Sequence, residues 1–350
     1  KNKMKKNLFI RVDGSAEIGT GHIMRCIALA NELKNLFNKI IFLTNNTSEN
    51  LIDIIKDNDF QVKTLDENGL NNEIKSLSSF IVLYDTELNY LLIDHYDIDH
   101  KYEYHMRKFF KKIFIIDDLA NRKHDCDLLI DQNYYKNLNS RYDELVPTNC
   151  IVLLGPKYVI LRSEFQDIQK IKLKKNTLPK NILISFGGSD PTNESEKILD
   201  AIKSINNTKF FITLVTGIHN QNFEQLQRKT SQMKNIKIFK HVQNFSQLLS
   251  NSDLCFGAGG TTTWERFFVG VPSIVTIVSS DQKESVEFLS HLGHVINLGF
   301  AQDLTVDKYA ESLLNLDPEI LYKISLNNQK LVDGQGKIRI KKQIIQLIDE

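Results

Sequence analysis

Short apolar runs alternate with amphipathic segments along almost the whole chain, and this alternation constrains the fold more than any other feature. A buried parallel strand reads as a brief run of Ile, Leu, Val and Phe, and the return to the next parallel strand needs a helical crossover. In the first half, strands are expected at 8–12, 39–43, 90–93, 112–116 and 128–130, with helices near 22–36, 49–58, 71–80 and 100–110. The second half repeats the scheme, with strands at 182–186, 211–215, 236–239, 254–256 and 273–277. Between the halves, the lysine-rich stretch 169–179, ending at Pro179, has the composition of a linker. A last helix at about 335–348 alternates charged residues with Ile and Leu and needs a surface for its apolar face.

The chain has 350 residues, enough for two cores, since domains usually run about 100–200 residues. The expected fold class is therefore α/β: two Rossmann-like, doubly wound domains facing each other across a cleft. Their expected limits are 1–168, a linker at 169–180, 181–332, and a closing helix at 333–350.

Forty-four basic residues against 43 acidic ones leave a formal net charge of +1. That balance argues against nucleic acid as a partner, because such binding rests on neutralising phosphates. No apolar stretch approaches the roughly 20 residues that span a bilayer, so no membrane insertion is expected. Cys26, Cys126, Cys150 and Cys255 form no Cys-x-x-Cys pair and have no flanking histidines at zinc spacing. They read as reduced thiols of a cytoplasmic protein. Residues 1–6 are basic, but the apolar run that follows is too short for a signal peptide, and Met4 is a candidate natural start.

Three strand-to-helix turns carry chemistry. The first is Val12-Asp13-Gly14-Ser15-Ala16-Glu17-Ile18-Gly19-Thr20-Gly21-His22-Ile23-Met24-Arg25. Glycines at a strand end let backbone approach a phosphate or a sugar. The dinucleotide fingerprint is excluded, because its third glycine would fall at Met24. His22 at the helix start suits a general base, and it equally suits a histidine that only hydrogen-bonds backbone. The second turn is Phe186-Gly187-Gly188-Ser189-Asp190-Pro191-Thr192-Asn193. Here Asp190 before Pro191 reads as N-cap and first helical residue, with ligand contact the other role open to it. Asn193 lies one turn on, within reach of the same space.

The third turn is Gly257-Ala258-Gly259-Gly260-Thr261-Thr262-Thr263-Trp264-Glu265, and it is the most specific. Gly259, Gly260 and Thr261 present free N–H groups and a hydroxyl at a helix N-terminus, which suits a diphosphate. Glu265, about a turn later, is placed to accept ribose hydroxyls; a solvated helix carboxylate is the competing reading. Asp94, Asp117 and Asp118 also end strands, where aspartates more often cap loops than bind metal.

The third turn resembles the nucleotide-sugar site of GT-B glycosyltransferases, where a glycine-rich loop holds the diphosphate and a glutamate the ribose. With the first two turns, and with Ile93-Asp94-His95-Tyr96 and 155–165, the chain is similar to the pseudaminic acid pathway hydrolase family. That resemblance covers about residue 7 to beyond 330. It implies a GT-B architecture and removal of UDP from UDP-2,4-diacetamido-2,4,6-trideoxy-β-L-altropyranose, by inverting attack at the anomeric carbon. By the same resemblance His22 is the base that activates water and Tyr96 lies near the sugar. Gly21, Gly188, Asp190, Asn193, Gly259, Gly260, Thr261, Glu265 and Gln282 contact the substrate. The expected partners are a UDP-sugar and its product UDP. No cofactor or metal is expected; Mg²⁺ is compatible with the strand-end aspartates but nothing calls for it. Two other functions fit the same motifs: a glycosyltransferase using a lipid or glycan acceptor, and a non-catalytic nucleotide-sugar binder.

Overall fold

The computed structural model describes residues 5–15, 17–65, 69–84, 88–205 and 209–349. Met4 and the residues before it, and Ala16 of the first glycine turn, lie outside these.

The chain divides into two compact units, Lys1–Ser163 with Gly334–Glu350, and Glu164–Asp333. The first unit runs β1 (Lys6–Val12), α1 (Gly21–Leu33), β2 (Lys39–Thr44), α2 (Glu49–Asp57), β3 (Gln61–Thr64), α3 (Leu70–Ile81), β4 (Leu88–Asp94), α4 (His100–Met106), β5 (Lys112–Ile116), β6 (Leu128–Asp131) and β7 (Ile151–Leu154). These strands form one parallel sheet in the order β3-β2-β1-β4-β5-β6-β7. Phe9, Leu91, Ile93, Ile113, Ile115 and Leu129, from its central strands, pack together in the core. Strands buried on both faces need such unbroken apolar runs.

The second unit runs β8 (Asn181–Ser185), α5 (Glu194–Ser204), β9 (Phe211–Thr216), α6 (Phe223–Thr230), β10 (Ile236–Lys240), α7 (Phe245–Ser250) and β11 (Leu254–Ala258). It continues through α8 (Thr262–Val269), β12 (Ser273–Ile277), α9 (Lys283–His291), β13 (Ile296–Phe300), α10 (Val306–Leu314) and α11 (Pro318–Leu331). Its parallel sheet has the order β10-β9-β8-β11-β12-β13. Ile182, Ile184, Leu214, Leu254, Phe256 and Ile274 build its core.

Two segments join the units differently from the expected limits. The lysine-rich stretch 169–180 lies within the second unit. It is tied there because Ile171 N donates to Val269 O (2.9 Å) and Gln329 Nε2 donates to Ile171 O (2.8 Å). The last helix, α12 (Gly336–Asp349), belongs to the first unit. It buries Ile340, Ile344, Leu347 and Ile348, and Lys6 Nζ donates to Ile348 O at 2.9 Å.

In each sheet the strand order reverses beside the first strand, between β1 and β4 and between β8 and β11. Open α/β sheets bind ligands at the carboxyl ends of strands flanking such a reversal. The glycine turns at 13–21, 186–193 and 259–261 leave the carboxyl ends of β1, β8 and β11, three of those four strands.

Among the described residues, no helix is long and apolar enough to cross a membrane. All four cysteines are free thiols.

Candidate nucleotide-sugar site

In the first unit, β1 and β4 pair in parallel with Val12 opposite Asp94, so Asp94 faces the turn that leads into α1. His22 is the second residue of α1, and its Nδ1 lies 2.6 Å from Asp94 Oδ1. Arg25, one turn further along, donates from Nε to Asp94 Oδ2 (2.6 Å) and from Nη2 to Asp94 Oδ1 (2.6 Å). It also grips Asp118, through Nη1 to Oδ1 (3.0 Å) and Nη2 to Oδ2 (2.8 Å). Burial alone would raise the Asp94 carboxyl, but Arg25 and His22 pull it well below the usual carboxylate range. Asp118 is likewise lowered, with Arg25 again outweighing burial.

An ionised Asp94 decides the histidine tautomer. A lone pair on Nδ1 would face a carboxylate oxygen at 2.6 Å, so Nδ1 carries the proton and donates. Arg25 Nη2 also comes within 3.1 Å of Nδ1, but that nitrogen already has Asp94 and Asp118 to donate to. Nε2 of His22 is left with its lone pair outward and no hydrogen bond among the described residues. Tyr96 sets the ring plane, meeting it edge to face at 4.7 Å, while its hydroxyl donates to Asp118 Oδ2 (3.0 Å). Gly21, at the start of α1, keeps the backbone beside His22 free of a side chain.

The expectation that strand-end aspartates cap loops is corrected for two of the three. Asp94 and Asp118 are the anions that fix Arg25, and Asp94 also holds His22 directly. Only Asp117 acts as a cap, accepting from Ala120 N (2.8 Å), and it pairs with Arg122 as well (2.8 Å). Among the described residues, no group of three or more His, Cys, Asp or Glu is arranged to hold a metal ion.

In the second unit, β8 and β11 are paired neighbours, so the turns leaving them lie side by side. Asp190 does not N-cap a helix beginning at Pro191. Helix α5 opens at Glu194, with Asn193 as N-cap residue at φ +55° and Asp190 itself at φ +48°. The Asp190 carboxylate reaches forward instead, accepting from Glu194 N (2.9 Å) and Ser195 N (3.0 Å). It is buried, and burial pushes its pKa up despite those amides. This capping satisfies Asp190 within the chain. Asn193 Nδ2 donates to Glu196 Oε2 (2.5 Å), while its Oδ1 is buried without a partner among the described residues. Gly188 is held close by Gly217, where a Cβ would lie 2.2 Å from Gly188 O.

At the end of β11, Gly259, Gly260 and Thr261 lead into α8. Gln282 lies over this turn, its Oε1 accepting from Gly259 N and Val278 N (both 3.2 Å). A Cβ at Gly260 would meet nothing nearer than Gln282 Nε2 at 3.9 Å. Packing alone therefore leaves room for a side chain at 260. Glu265, in the first turn of α8, is 7% exposed, which sets aside the solvated-carboxylate reading. Asp281 is exposed on the neighbouring turn.

Each unit thus gathers one cluster. His22, Gly21 and Tyr96 meet in the first; in the second, Gly188, Asp190 and Asn193 follow β8, while Gly259, Gly260, Thr261 and Glu265 follow the neighbouring β11 with Gln282 over the 259–260 turn. Arg25 escaped notice although its spacing three residues after His22 puts both on one helix face. Arg266 and Gly217 had no signal beyond their nearness to the glycine turns.

Two Rossmann-like units of this strand order are the components of the GT-B fold. The same fold appears in the crystal structure of MurG from Acinetobacter baumannii, with TM-score 0.69 at 13% identity over 98% of this chain and 99% of that one. Residues 182–346 match the model of the glycosyltransferase family 28 C-terminal domain. Over 286 residues the chain is 34% identical to an uncharacterised protein of Methanocaldococcus jannaschii, covering 79% of this chain and 56% of that longer protein. It is also 29% identical to the UDP-2,4-diacetamido-2,4,6-trideoxy-β-L-altropyranose hydrolase of Campylobacter jejuni, covering 83% of this chain and 98% of that one. The resemblance read from the motifs fits these findings.

Proposed function

We propose that this chain is an enzyme that hydrolyses a UDP-sugar at the anomeric C–O bond, releasing UDP and the free sugar. The substrate is UDP-2,4-diacetamido-2,4,6-trideoxy-β-L-altropyranose or a close relative, on the strength of the similarity to the Campylobacter enzyme. The observation that carries the reading is the His22–Asp94 pair, which leaves Nε2 open to accept a proton at a sheet reversal.

The first unit supplies the base and the second holds the nucleotide. His22 Nε2 takes a proton from water as the water oxygen bonds to the anomeric carbon with inversion. Asp94 holds the resulting imidazolium through Nδ1, as the anion in a catalytic triad does. The anomeric C–O bond breaks and its electron pair leaves with UDP. The amides of Gly259, Gly260 and Thr261 stabilise the charge that develops on the diphosphate. Glu265 accepts from the ribose hydroxyls, and Gln282 moves from Gly259 N to the ligand. Tyr96, Gly21, Gly188 and Asn193 line the sugar and nucleotide, and Asp190 shapes the turn that presents Gly188.

A second reading, sugar transfer to a lipid or glycan acceptor, is favoured by the family 28 match over residues 182–346. One assay separates the two: a panel of UDP-sugars without acceptor. Hydrolysis requires UDP release under those conditions, and silence until an acceptor is added would establish transfer.

A further inference from the structure

Arg266 is the fifth of the eight residues of α8, and only 1% of it is exposed. Its Nη2 donates to Ala258 O (2.7 Å) and to Thr263 Oγ1 (2.9 Å), both of them neutral acceptors. Nε is buried with no partner, and among the described residues no carboxylate forms an ion pair with Arg266. Burial accordingly pushes its pKa down, with nearby Cys255 and Glu265 opposing. Guanidinium nonetheless stays charged in proteins. The chain also makes room for it: a Cβ at Gly257 would fall 2.2 Å from Arg266 Nη1. This close approach explains a glycine inside β11 that the diphosphate reading of the turn does not.

A buried cation held by neutral acceptors and in no ion pair costs stability, and apolar replacements of similar volume are often neutral or stabilising. Such a group is retained where an anion arrives to complete it. The carbonyl it holds belongs to Ala258, directly before Gly259, so its field lies under the amides of the glycine turn. We propose that Arg266 is a positioning residue whose buried charge, acting through the 258–263 turn, selects a diphosphate over an uncharged nucleoside. This inference rests on the nucleotide reading of the second unit and deepens it. Arg266 touches no ligand; it biases the amides that do.

The test is calorimetric titration of the full chain with UDP and with uridine. Arg266→Met should weaken UDP binding at least about tenfold and leave uridine within about twofold, since the ribose contact is made by Glu265. Arg266→Gln, which keeps donors for Ala258 and Thr263 and drops the charge, should show the same selective loss. Without ligand, Arg266→Met should melt no lower than the parent chain. Equal losses for UDP and uridine, unchanged UDP binding, or variants that melt lower or fail to fold would overturn the inference and leave Arg266 a structural residue. A parent chain that binds neither ligand would overturn the nucleotide reading itself, and the inference with it.

Discussion

At His22 the account depends on one nitrogen. His22→Asn should lower kcat by roughly 10²–10⁴-fold, the usual cost of losing a general base. UDP affinity should hardly change, because the base acts on water. Kinetics alongside titration separates the two, and a near-normal kcat in His22→Asn would remove the histidine from the mechanism. Glu265 carries the complementary prediction. Hydrogen bonds to a charged group contribute about 1.5–3 kcal/mol, so Glu265→Ala should weaken UDP about ten- to over a hundredfold. An unchanged dissociation constant would leave its burial as packing alone. Single positions were unevenly legible in the sequence. His22 and the 259–261 turn announce themselves because glycines at strand ends have few other uses. Asp94 and Asp118 looked like loop caps, since nothing in their spacing shows that one arginine on α1 reaches both. Asp190 reads as an N-cap at Pro191 or a ligand contact because Asp-Pro is a helix-start signature, yet two left-handed residues move the helix to Glu194.

Helix α1 is joined to the ends of β4 and β5 through Arg25 and the two aspartates, and this makes the first unit acid-sensitive. Both carboxyls are lowered in the folded chain, so their contribution is present above the unfolded value of about 3.9 and is lost as pH falls. The melting temperature should therefore drop below about pH 5, and Arg25→Met should flatten that acid limb while lowering stability at pH 7. An acid limb identical in the variant would place the sensitivity elsewhere. Helix α12 makes a different prediction. Ile344 is fully buried, so Ile344→Ala should cost about 2–5 kcal/mol. Hydrogen exchange should quicken through the strands β1 to β7, and loss of protection in β8 to β13 instead would assign the helix to the other unit. Among the elements, the central strands were plain from their apolar runs. The three strands missed, β3, β7 and β13, are all sheet edges. An edge strand is paired on one side and half-exposed, so its apolar run is short or broken: β3 reads Gln-Val-Lys-Thr, and β13 contains Gly299 at a register shift.

At the scale of the whole molecule, the two units repeat one plan, and the division of labour follows from what each puts at its sheet reversal. The first has a histidine oriented by a carboxylate; the second has amides, a buried glutamate and a buried arginine. The repeat was visible in the alternation of the sequence, whereas the assignment of the last helix to the first unit was not, because an amphipathic pattern does not say which surface it covers. What remains decisive is which bond the water breaks. On the proposed function the base comes from the first unit and the groups that stabilise a departing diphosphate come from the second, which places attack at carbon with UDP as the leaving group. Reaction in ¹⁸O-water, followed by mass spectrometry of both products, reads this directly. The account predicts label at the anomeric hydroxyl of the sugar and unlabelled UDP. Because a reducing sugar exchanges that oxygen slowly, the unlabelled UDP is the firmer of the two readings. Label on the β-phosphate of UDP would mean attack at phosphorus and would contradict the role given to His22.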